Sequence, residues 1–168
     1  MNTSHNHRYR VLVVDEEESV CRAIKLALIC AGHSMRLVSN DLEALAVLEK
    51  NHFDLVILDR AMVGILGNDL AARIKQNWPR LPVVMTSAFA FEFNHSGRSF
   101  NNVDHILSKA FTEDELCAVI EFVIFQHKCL ALADSFPGSL PGKWLRGVIS
   151  TKPLGDLQSS LQNKIQLF

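Results

Sequence analysis

The sequence carries almost no excess of charge of either sign: Lys+Arg 17 against Asp+Glu 18 leaves a formal net charge of -1. That removes the electrostatic basis for bulk nucleic-acid binding, so direct DNA contact is not expected. Paired cysteines are missing as well. Cys21, Cys30, Cys117 and Cys129 show no C-x-x-C spacing, and three of them fall among apolar helical residues, which points to free buried thiols in a reducing cytoplasm. The first apolar run, Val11 to Val14, follows His5, His7, Arg8 and Arg10 and meets the acids Asp15 to Glu18 at once. It is too short for a signal peptide or membrane span, so a cytoplasmic location with no membrane partner is expected. No basic residues interleave with Phe89, Phe91 and Phe93, so those aromatics read as packing rather than a base-stacking platform.

What is present is an ordinary globular composition, 48% apolar and 21% charged. A chain of 168 residues suffices for one full core, with little left over for a second. Four apolar runs each end on polar residues: Val11–Val14 at Asp15-Glu16, Leu55–Leu58 at Asp59, Pro82–Thr86 at Ser87, and His105–Ser108 at Lys109. Short β-branched runs separated by helical stretches signal a parallel sheet covered on both faces. In open α/β sheets the ligand crevice lies beyond the carboxyl ends of the strands. Three acids, a hydroxyl and a lysine are therefore expected to converge there.

Between the runs, Val20, Ala23, Ile24, Ala27, Leu28 and Ala31 follow the helical period from an opening at Ser19 or the acids before it, and Gly32 ends that helix. Met35–Val38 reads as a short strand. Asn40 with Glu43 makes a capping-box pattern for a helix through Leu42, Leu45, Ala46 and Glu49. A helix from about Asn68 to Asn77 follows the loop holding Gly64 and Gly67, and Trp78-Pro79 stops it. The stretch from Ala88 to Asn102 has a weak helical signal, and a short or irregular fourth helix is expected there. Thr112 and Glu115 form a second capping box for a helix from Leu116 to about Ala133 that is apolar almost all round. Phe136 to Gly142 breaks it. In the segment from Lys143 to Phe168, Leu157, Leu161, Ile165 and Phe168 share one helical face, which suggests a docking or self-association helix.

A carboxylate accepting a phosphoryl group needs a free oxygen, a divalent cation to offset charge, and a fixed cation and hydroxyl for the other phosphate oxygens. Asp59 suits the nucleophile. Glu16, with Asp15 behind it, suits Mg²⁺, Lys109 suits the phosphate, and Ser87 suits a hydrogen-bond donor.

With these residues, the sequence from about Arg10 to His127 resembles the receiver domain of bacterial two-component response regulators. The matching elements are Asp15-Glu16 after the first strand, Asp59-Arg60-Ala61-Met62 with Gly67, Ser87-Ala88, and Lys109-Ala110-Phe111. The resemblance implies a flavodoxin-like, doubly wound, five-stranded parallel sheet of order 2-1-3-4-5 flanked by five helices. The implied layout is a flexible amino terminus over 1–9, a receiver domain over 10–134 and a helical extension over 135–168. Asp59, Ser87 and Lys109 would do the phosphoryl chemistry, and Asp15, Glu16, Asp59 and Ala61 would form the Mg²⁺ site. A histidine kinase or phosphotransfer protein would supply the phosphate. Output would run to a downstream protein or to self-association through the last helix and the tail. The chain would thus be a phosphoacceptor, open to autodephosphorylation, rather than an enzyme.

Four positions depart from the family pattern, the first being Glu16 where Asp is common, which keeps the ligand but lengthens its reach. Val63 and Ala110 stand where proline is usual, and Ile106 stands where an aromatic switch residue is usual. A non-proline cis bond costs about 2.5 to 4 kcal/mol, so the cis peptide typical after the lysine is expected to be absent or strained. These departures leave an alternative: a phosphorylation-independent pseudo-receiver that serves as a protein-interaction module. A phosphohydrolase of similar topology is disfavoured, because Ala61 stands where its second acid belongs and no Gly-rich phosphate loop follows the first strand.

Overall fold

A computed structural model describes residues 8–62, 66–88 and 102–135. Five strands, β1 (Arg10–Val14), β2 (Ser34–Val38), β3 (Leu55–Asp59), β4 (Val83–Ser87) and β5 (His105–Ser108), form one parallel sheet of order β2-β1-β3-β4-β5. Around it lie α1 (Glu18–Cys30), α2 (Asp41–Lys50), α3 (Gly67–Asn77) and a helix at Glu113–Ser135, here α4. The expected irregular helix of residues 88–102, the loop position Val63 and the tail stripe from Leu157 to Phe168 lie wholly or largely outside the described residues.

Because both faces are covered, the central strands read as continuous apolar runs rather than alternating ones. Successive side chains nonetheless feed two cores. Leu12, Val14, Val56 and Leu58 pack with Leu70 and Ile74 of α3 and Leu48 of α2. Val11, Val13, Leu55 and Ile57 pack with Ile24 and Leu28 of α1 and Leu116, Ile120 and Val123 of α4. Fully burying each such side chain stabilises the fold by about 1.5 to 3 kcal/mol.

Helix ends follow local chemistry. Gly32, at φ 80, lets the chain reverse after α1, with its N–H donating to Ile29 and that of His33 to Leu28. Only glycine adopts that left-handed position at no steric cost. The Asn40 side chain accepts from the Glu43 amide at 2.9 Å. Thr112 and Glu115 exchange reciprocal bonds, 3.2 Å from the Glu115 amide to the Thr112 hydroxyl and 2.8 Å from the Thr112 amide to the Glu115 carboxylate. The last helix, α4, starts at Glu113 directly after the Thr112 cap and runs to Ser135, against an expected range of Leu116 to about Ala133.

The chain divides into two compact units, Met1–Ile124 and Phe125–Phe168. The first holds the sheet. The described part of the second is the end of α4, where Phe125 and Leu132 are exposed. Among the described residues no helix is long and apolar enough to cross a membrane.

Candidate functional site

Parallel pairing brings the carboxyl ends of β1, β3, β4 and β5 to one edge. The register sets Asp59 opposite Thr86 and Ser87 opposite Ser108. The Arg60 amide donates to the Thr86 carbonyl and the Lys109 amide to the Ser87 carbonyl. The polar ends of four apolar runs are thus held together by backbone hydrogen bonds, and Asp15, Asp59, Thr86 and Ser87 are all buried.

The ammonium of Lys109 lies 3.1 Å from an Asp59 oxygen, 3.2 Å from Asp15 and 3.6 Å from Glu17. One cation therefore faces three carboxylates. The Asp15 and Asp59 side chains are only 2% and 8% exposed, whereas Glu17 is 57% exposed and stands at the mouth. The second Asp15 oxygen accepts from the Glu17 amide at 2.8 Å, and the Cys21 thiol donates to the Asp15 carbonyl at 3.3 Å.

The electrostatics match this crowding. Burial, the largest influence, raises the Asp15 carboxyl above its usual range, against the pull of the Glu17 amide and the Lys109 charge; the neighbouring Asp59 raises it further. Burial works against the Lys109 ammonium, yet its hydrogen bond to Asp59, the charges of Asp15 and Asp59, and the bond to Asp15 leave its pKa raised.

Gly67 fixes the approach of α3 to the acceptor strand. A Cβ there would meet the Asp59 carbonyl at 2.5 Å, Leu58 Cδ1 at 2.8 Å and the Arg60 Cα at 2.9 Å. The Gly67 amide donates to the Arg60 carbonyl. This contact starts α3 one residue earlier than the helical pattern indicates.

Of the residues singled out in the sequence, Asp15, Asp59 and Lys109 meet directly, and Ser87 is the strand neighbour of Thr86. Glu16 and Ala61 are exposed beside them. Glu17 is the residue the pattern missed. Its signal was the run of four acids, but only the extended backbone at position 17, φ -82 and ψ 107, turns its side chain toward Lys109. The Lys109–Ala110 peptide, for which the cis form was expected to be absent or strained, is cis. Leu107 packs into the core with α1 and α4, so Ile106 points to the opposite face of β5.

Among the described residues no group of three His, Cys, Asp or Glu side chains is arranged as a ready metal cage. Mg²⁺ does not ask for one, since it usually takes one or two carboxylates and keeps several waters. Two buried carboxylates with an unbalanced negative charge fit that requirement.

Comparison with known proteins gives the same direction. The family described as the response regulator receiver domain matches residues 11–121. The transcriptional regulatory protein TcrA of Mycobacterium tuberculosis is 30% identical over 109 residues, covering 65% of this chain and 43% of that protein. The crystal structure of a putative response regulator from Chloroflexus aurantiacus superposes with a TM-score of 0.64 at 27% identity, covering 71% of this chain and 99% of that one. Response regulator TrrA of Thermotoga maritima, crystallised in complex with Mg²⁺-BeF, gives a TM-score of 0.62 at 29% identity, over 68% of this chain and 98% of that one. The chain spans about half the length of curated relatives it matches, or less.

Proposed function

Since the chain belongs to the response regulator receiver domain family, we propose that it accepts a phosphoryl group on Asp59 and acts as a phosphorylation-controlled signalling switch. The observation that carries this reading is the Lys109 ammonium held between Asp59 and Asp15, at 3.1 and 3.2 Å, at the carboxyl edge of the sheet. An Asp59 oxygen attacks the donor phosphorus, and an oxygen–phosphorus bond forms as the bond to the leaving group breaks. With acetyl phosphate as donor, acetate leaves with the electron pair. Lys109 pairs with the transferred phosphoryl oxygens as a point charge, and the Ser87 hydroxyl donates to another. A bound Mg²⁺ supplies offsetting positive charge. Asp15 and Glu16, with Asp59 and the carbonyl of Ala61, are the groups to hold it.

The physiological donor on this reading is a histidine kinase or phosphotransfer protein, and the receiver unit spans 10–134, followed by the extension 135–168. Output passes to a downstream protein or to self-association through α4 and the tail. The named relatives include transcriptional regulators longer than this chain, so the charge-based expectation of no DNA contact draws no support from them. The pseudo-receiver alternative draws no support from the family match or the named relatives.

The test is labelling by phosphoramidate or acetyl phosphate, read by intact mass. One phosphoryl group is expected on wild type in Mg²⁺, none in EDTA and none on Asp59→Asn. Equal labelling of that variant, or full labelling in EDTA, overturns the assignment.

A further inference from the structure

Glu17 belongs to neither the acceptor nor the metal set of that reading, yet it is the third carboxylate on Lys109. Its side chain is held from two sides: the Ser19 hydroxyl donates to one oxygen at 2.7 Å, and the Lys109 ammonium lies 3.6 Å from the other. Its amide is tied to Asp15. Asp15 and Asp59 sit behind Lys109 in the protein, so the 57% exposed Glu17 is the carboxylate on the solvent side.

We propose that Glu17 is a positioning residue that restrains phosphorylation: it competes with the incoming phosphoryl group for Lys109 and repels anionic donors at the mouth of the site. The inference rests on Asp59 being the acceptor. Phosphodonors are anions, and transfer brings their charge beside Asp59, where Lys109 must turn to meet it. With Asp15 and Asp59 buried, Glu17 is the partner whose charge is removable without opening the core. Ser19 aims it. The substitution Glu17→Gln keeps the backbone bond to Asp15 and close to the same size, so it isolates the charge.

The experiment compares acetyl phosphate labelling rates of wild type, Glu17→Gln and Glu17→Asp in saturating Mg²⁺ at several salt concentrations. Removing one charge a few ångströms from a dianion in a partly hydrated site corresponds to labelling faster by on the order of threefold to tenfold at low salt. The advantage should shrink as salt rises toward about 1 M, where the Debye length falls to about 3 Å and so reaches the separation of these charges. Glu17→Asp, which keeps the charge, should stay near wild type. A structural role would give a ratio indifferent to salt. Equal rates for wild type and Glu17→Gln, a salt-independent ratio, or an aspartate variant that behaves like glutamine overturns the proposal while leaving the acceptor assignment intact. A wild type that takes no phosphate at all overturns both.

Discussion

Two largely buried lysines sit at opposite ends of the same sheet and do different work. Lys75 of α3 lies 2.6 Å from Asp104 and donates to the Leu81 carbonyl at 2.8 Å, while the same Asp104 oxygen accepts from the Val83 amide at 2.7 Å. There the lysine bridges a carboxylate and a backbone carbonyl, and the carboxylate also takes a backbone amide. Lys109 instead meets three carboxylates at the other end. The first group ties α3 to the start of β4, whereas the second sets three carboxylates within 3.6 Å of a single ammonium. Among the described residues, the two lysines thus differ in the number of carboxylates around them rather than in distance.

The largest effect that breaks this comparison comes from removing each lysine. Lys75→Met removes the ammonium from Asp104 and is expected to lower unfolding free energy by about 3 kcal/mol, equally with and without Mg²⁺. Lys109→Met leaves two buried carboxylates together and should destabilise at least as much in EDTA, but recover partly in Mg²⁺. Urea melts of both variants in the two buffers check this. Equal response to Mg²⁺ removes the distinction.

A steric test at the functional end follows. Gly67→Ala drives a Cβ into the backbone of Asp59 and Arg60, with an expected loss of about 2 kcal/mol and slower labelling of Asp59. An unchanged melt would mean that α3 shifts freely.

The sign of the Asp15 effect sharpens the contrast further. Because burial raises its carboxyl, the folded state holds a proton there more tightly than the unfolded chain. The stabilising contribution of that proton is present below the unfolded value of 3.8 and is lost as pH rises through the folded value. Once ionised, the buried Asp15 carboxylate therefore opposes folding. Asp15→Asn should raise the thermal midpoint in EDTA while weakening the response to Mg²⁺, and a lowered midpoint contradicts the unbalanced-charge reading.

The smallest effect lies away from both lysines. Burial lowers the pKa of His33, with Glu121 and Asp54 pulling the other way, and burial alone lowers that of His105. Both contribute stability above the unfolded value of 6.5 that is lost as pH falls below it. Denaturation midpoints between neutral and mildly acidic pH should fall slightly, and less in His33→Gln.

Much of this was legible in the residues themselves. The central strands are buried on both faces, so they stand out as apolar runs, and each run's polar terminator marks the edge where the site lies. Gly32, the Asn40–Glu43 cap and the Thr112–Glu115 cap are local and were readable for the same reason. The limits of β2 were less so, because an edge strand with exposed Arg36 and Leu37 has a diluted pattern and begins one residue early, at Ser34. The Lys75–Asp104 pair joins residues far apart in sequence, and no local signal announces it. Glu17 was hidden by its neighbours, since four adjacent acids look alike until the backbone aims one of them.

The most direct measurement is trapping of the acceptor. An acyl phosphate on aspartate is reduced by borohydride to homoserine, so labelled protein treated in this way and mapped by peptide mass spectrometry reads the modified position without any mutation. Homoserine at position 59, dependent on both Mg²⁺ and phosphodonor, is the predicted result. Homoserine at another acid, or none in protein that carries phosphate, would contradict the assignment of Asp59 and with it the meaning given to the charge held around Lys109.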